Sequence, residues 1–115
     1  MKLTVRPGTV PPGHYHARLV AVEAVDHDQY GPGLRFVFTI AEGVYASLEA
    51  GRVTGCTPTP RNACGRLLAG LLGRNLAIDE DVELEELIGR DYLIVVAETE
   101  TGGSRVEAVS VPPVS

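Results

Sequence analysis

Residues 14–25, HYHARLVAVEAV, carry the pattern on which the fold turns. In a strand, successive side chains point to opposite faces. Tyr15, Ala17 and Leu19 share one face, while Val20, Val22 and Ala24 share the other. The apolar parity therefore flips between Leu19 and Val20. A strand does this when it is bulged, or when it serves two sheets in succession. Residues 26–33, DHDQYGPG, then form a turn-rich loop. Residues 34–40 alternate cleanly: Leu34, Phe36, Phe38 and Ile40 on one face, Arg35, Val37 and Thr39 on the other. That is a half-buried second strand with its phenyl rings turned inward.

Residues 41–51 show no period that assigns them. Residues 52–57 are expected as a third strand ending at Pro58. A helix follows, with Thr59 as N-cap and Pro60 at its first position. Ala63, Leu67, Leu68, Leu71 and Leu72 recur at helical spacing, and Gly73 is a natural stop. Gly65 and Gly70 weaken this helix by about 1 kcal/mol each relative to Ala, so it depends on docking its Leu stripe. Residues 81–88 are expected as a short acidic helical turn closed by Gly89. Residues 91–98, DYLIVVAE, are apolar on both faces and so should be a central strand. Residues 99–103 turn the chain, and residues 104–111 alternate as a last strand.

The order β-β-β-α-β-β predicts an all-β domain with one main helix, specifically a five-stranded OB-fold-like Greek-key barrel, partly open. Its first strand is long and coiled, and its helix plugs the open end. Another small five-stranded barrel or an α+β roll is the rival. At 115 residues the chain is one domain. Residues 14–111 form that domain, preceded by an extended arm at 1–13 rich in Pro and Gly and followed by a short tail at 112–115.

Net charge is −5, which argues against a basic nucleic-acid coat. The charge is uneven. Asp79, Glu80, Asp81, Glu83, Glu85, Glu86 and Asp91 crowd one segment with a single base, Arg90. This segment could repel nucleic acid from the helix side or hold a basic partner, although short helices are often acidic at their start. Among the bases Lys2 is the only lysine; the rest are arginines, whose planar fork suits phosphate. No apolar run is long enough to span a bilayer, and the N-terminus has no secretory h-region. The expectation is a cytoplasmic protein without a membrane partner. Cys56 and Cys64 fit no common zinc spacing and are expected as free thiols.

The runs PGHYHARLVAVEAV (12–25), YGPGLRFVFTI (30–40), LLAGLLGR (67–74) and ELEELIGRDYLIVV (83–96) resemble a group of small phage- and prophage-associated OB-fold proteins. Shared features are the Pro-Gly-x-Tyr start, the G-P-x-L-x-aromatic-x-aromatic second strand, the Leu-rich helix and the Leu-Ile-Gly-Arg step into a buried strand. The resemblance implies single-stranded-DNA binding in replication or recombination.

An OB-fold binds its ligand on strands two and three and on the loops 1–2 and 4–5. Those places hold Arg35 and Thr39 on the outward parity of strand two, with Arg52 and Thr54 expected beside them. They also hold Tyr30 and Tyr45 in loops and Arg105 flanking the last turn. Arg61 and Arg66 sit on the helix. Phosphates would meet the arginines and bases the tyrosines, since the chain has no Trp. The expected partner is single-stranded DNA, or RNA. The alternative is an assembly module that binds itself or a replication protein through the same barrel. His14 and His16 share a face and His27 adds a third imidazole, but a metal site needs three or four convergent ligands, so no metal is expected. Gly31-Pro-Gly33 and Gly102-Gly103 lack the Lys-Ser/Thr of a phosphate loop, neither cysteine has a patterned base, and Glu85 and Glu86 belong to a solvated acidic face. No catalytic residue and no cofactor are expected.

Overall fold

A computed structural model describes residues 1–3, 9–27 and 31–112, with the His27 side chain excluded. The elements among the described residues are β1 (Gly13–His27), β2 (Gly31–Ile40), β3 (Glu49–Gly55), α1 (Ala63–Leu72), β4 (Asp91–Glu98) and β5 (Ser104–Ser110), with a 3-10 turn at Leu84–Glu86. All five strands lie in one antiparallel sheet in the order β3-β2-β1-β4-β5. Among the described residues no ladder joins β3 to β5, so the sheet is open along that seam. The domain is thus all-β with one helix. No helix among the described residues is long and apolar enough to cross a membrane.

The parity flip in β1 is a bulge. Leu19 pairs with Phe38 and Ala21 with Val37, leaving Val20 as the extra residue. Val20 is exposed, while Leu19 before it is buried and Val22 after it packs on the core. The Leu19 N–H and C=O turn instead to Arg90 O (3.1 Å) and Gly89 N (2.7 Å). Residues 13–18 of β1 pair with β4 and residues 17–27 with β2, so one strand serves both halves of a curled sheet. The curl brings the edges β3 and β5 face to face, and an ion pair between Arg52 and Glu107 (3.6 Å) crosses the seam.

Inside the curl, Ala17, Leu19, Phe36, Phe38 and Ile40 meet Tyr92, Ile94, Val96 and Val106. Phe36 and Phe38 are fully buried, as the alternation of β2 predicts. The Tyr92 ring stands edge-on to Phe38 at 6.4 Å. Val10, assigned to the arm from sequence, is also buried, and Tyr15 Oη donates to Pro11 O (2.7 Å). The arm's Pro7 and Gly8, and residues 113–115 of the tail, lie outside the described residues.

The third strand and the helix start depart from expectation. The third strand runs Glu49–Gly55 rather than 52–57, because Ala50 packs opposite Phe38 and the chain leaves the sheet before Cys56. The N-cap is Asn62, not Thr59. Asn62 Oδ1 accepts from Gly65 N (2.8 Å) and Thr59 N (3.1 Å), and Thr59 Oγ1 accepts from Asn62 N (3.2 Å). Thr59 thus braces the cap instead of being it, and Pro60 lies in the lead-in turn. Gly73 caps the other end in the left-handed region, at φ 72°. Gly65 and Gly70 have a tertiary reason: a Cβ would lie 1.6 Å from Thr59 O and 2.2 Å from Val109 O. They let α1 lie directly against its own lead-in turn and against β5. Leu67, Leu68 and Leu71 enter the core from there.

Candidate nucleic-acid interface

The β3–β5 seam gathers most of the arginines that the sequence singles out. Arg35 stands on the outer face of β2, opposite Val53 of β3, and its Nε lies over Gly51, which has no side chain to obstruct it. Arg105 stands on the outer face of β5, paired with Ala97. Between them a groove of about 600 Å3 is lined by Arg35, Arg52, Arg105, Val53, Val25 and Asp26. The end of β1, through Val25 and Asp26, and the start of β5, through Ser104 and Arg105, bound it.

Arg52 reaches this groove from an unexpected side. On sequence alone Arg52 and Thr54 are expected beside Arg35 on the outer face. The register pairs them with Phe36 and Leu34, on the inner face, and gives the outer place to Val53. Thr54 is accordingly buried, and the Arg52 side chain keeps 17% of its exposure. It threads the open seam from within. Its Nη1 is fully buried and lacks a hydrogen-bond partner. Burial lowers its pKa from the ordinary arginine value, Arg105 and Arg66 push the same way, and Glu107 opposes them.

Glu107 is the residue that sequence reasoning missed. Val96 pairs with Val106 and Val95 with Ala108, so Glu107 is the extra residue of a second bulge. Bulges re-aim side chains. Here Oε2 turns into the seam, 3.1 Å from Arg105 Nε and 3.6 Å from Arg52 Nη1. The signal was present: the inward Val106 and Val109 are three residues apart, not two. Asp26 is the carboxylate that lines the outer groove, Glu107 lying on its inner side; the acidic segment at 79–91 contributes none to the lining.

The remaining candidates lie elsewhere. Thr39 is half-buried, four residues along β2 from Arg35, between Arg18 and Glu49. Tyr45 packs on the core under its own loop and meets Tyr15 edge-on at 6.0 Å. Arg61 is exposed on the turn before α1, and Arg66 reaches the inner side of the seam from the helix. Tyr30 lies outside the described residues. His14 and His16 are exposed, with His16 Nε2 3.7 Å from Glu42. Among the described residues no three His, Cys, Asp or Glu side chains converge on a common point. Cys56 is exposed and Cys64 buried, both as free thiols.

No protein-family model matches this sequence, and no curated protein matches it either. The chemistry of the seam therefore stands on its geometry. Three guanidiniums edge one open groove whose wall includes exposed Val53. Such a surface attracts a chain of phosphates and tolerates flat, weakly polar groups between them.

Proposed function

We propose that this protein is a non-catalytic, OB-fold-like module that binds single-stranded DNA in replication or recombination, akin to the small phage- and prophage-associated proteins it resembles. The carrying observation is the convergence of Arg35, Arg52 and Arg105 on one groove. The strand order, the double service of β1 and the helix across the β3–β5 seam support the barrel reading. The groove also lies where such a barrel takes its ligand. Phosphates pair with the three arginines, and bases rest against Val53 and Val25. With little aromatic area available the affinity is weak and strongly salt-dependent. The compartment that fits this role is the cytoplasm, and single-stranded RNA competes for the same groove.

A fluorescence-anisotropy titration with labelled oligo-dT at low salt tests this. Saturable binding at about tens of micromolar is expected, and loss of binding in Arg35→Glu and Arg105→Glu. A flat titration ends the proposal.

A second reading, an assembly module, rests on the outer face of β4. There Leu93 and Val95 are only half-buried beside His14, His16 and Ala108. Light scattering after size exclusion decides it: a self-assembling chain runs as a dimer or larger, and a strict monomer removes self-assembly.

A further inference from the structure

Behind the outer groove lies a smaller cleft of about 290 Å3. Arg52 lines both spaces and divides them. The cleft's other polar walls are Arg66 of α1 and Glu107 of the β5 bulge; Leu67, Val106 and Val109 back it with apolar surface. Its charge is unbalanced. The one carboxylate, Glu107, is shared between Arg52 and Arg105, and among the described residues Arg66 has no carboxylate within salt-bridge distance. Arg52 is mostly buried, and its Nη1, 3.6 Å from Glu107 Oε2, has an ion-pair partner but no acceptor within hydrogen-bond distance. A buried donor without an acceptor is costly, and an anion drawn into the cleft would supply one.

Two kinds of phosphate could answer. A phosphodiester within a strand carries one charge and has chain on both sides. A terminal phosphomonoester carries nearly two charges at neutral pH and chain on one side only. The small volume and the surplus of guanidinium favour the second. We propose that this cleft is a phosphomonoester site, filled on a bound strand by the phosphate at its end. The strand-end form rests on the function proposed above; the cleft's preference for a dianionic phosphate does not.

The test compares three oligo-dT probes of equal length, with a 5′-phosphate, a 3′-phosphate or neither, in anisotropy titrations. In parallel, inorganic phosphate is titrated while backbone amide resonances are followed. One phosphorylated probe is expected to bind about tenfold tighter than the unphosphorylated one. In Arg66→Gln, with its fold checked by circular dichroism, that ratio should fall to near one. Inorganic phosphate should shift the amides of residues 63–67 and 106–109. Equal affinity for all three probes with no such shifts overturns the site. A preference that survives Arg66→Gln overturns it equally, because the phosphate is then held elsewhere. If no probe binds but inorganic phosphate shifts those amides, the strand reading fails and the cleft stands as a site for a free phosphate compound.

Discussion

Glu80 shows how much one carboxylate can depend on its neighbours. Hydrogen bonds from Arg74 to both its oxygens, then one from the Ala77 amide (2.9 Å), hold its carboxyl down at about 2. An unfolded glutamate titrates near about 4.3, so this pair's contribution is complete above that value and is lost as pH falls through about 2. Glu80→Gln should therefore narrow the drop in urea midpoint between about pH 6 and pH 3, as measured by circular dichroism. The cysteines separate by burial. Burial pushes the Cys64 thiol up, against the hydrogen bond to Thr54, while Cys56 stands in solvent. A native-state thiol assay should titrate one group quickly and the second only on unfolding.

At the scale of the element, α1 is short, carries two internal glycines and lacks charged residues suited to its dipole. Propensity alone would improve on Gly70→Ala by about 1 kcal/mol. The backbone of Val109 stands where the methyl would go, so the same change should instead destabilise the fold by about 1–3 kcal/mol in chemical denaturation. Asn62→Ala removes the cap and the bond from Nδ2 to Thr57 O (2.8 Å) and should cost about 1 kcal/mol. The bulges are devices of the same scale. Val20 lets β1 change partners, and Glu107 turns an edge strand's carboxylate into the seam.

The whole molecule is a curled sheet left open on one side, and the proposed binding depends on that opening. Closing β3 onto β5 by hydrogen bonds would leave no gap for the Arg52 side chain to thread. Left open, the seam lets Arg52 reach, from within, the groove that Arg35 and Arg105 edge from outside, while the net charge is −5. Three phosphate contacts to a single strand predict a slope of log affinity against log salt of about −2. Arg105→Gln should flatten that slope by about one contact and weaken binding without abolishing it, read from titrations at several salt concentrations.

Much of the fold was legible in the chain because burial imposes a period. Phe36 and Phe38 announced the inner face of β2, residues 91–98 a central strand, and Leu19 beside Val20 the place where β1 breaks step. Gly73 marked the helix end because only a residue free of a Cβ turns easily into the left-handed region. The interface was less legible. Arg35 follows from the parity of its own strand and Arg105 from its place beside the last turn, but Arg52 depends on where β3 begins. A strand paired from residue 49 rather than 52 takes its register from Ala50 packing against Phe38, a contact between segments that local spacing does not encode. Tyr45 resembled a free stacking ring until the loop folded it against Tyr15. Sequence alone determined which residues are apolar in step and hence which elements form. Tertiary structure decided which charges meet, because register and bulges are settled by packing between strands distant in the chain.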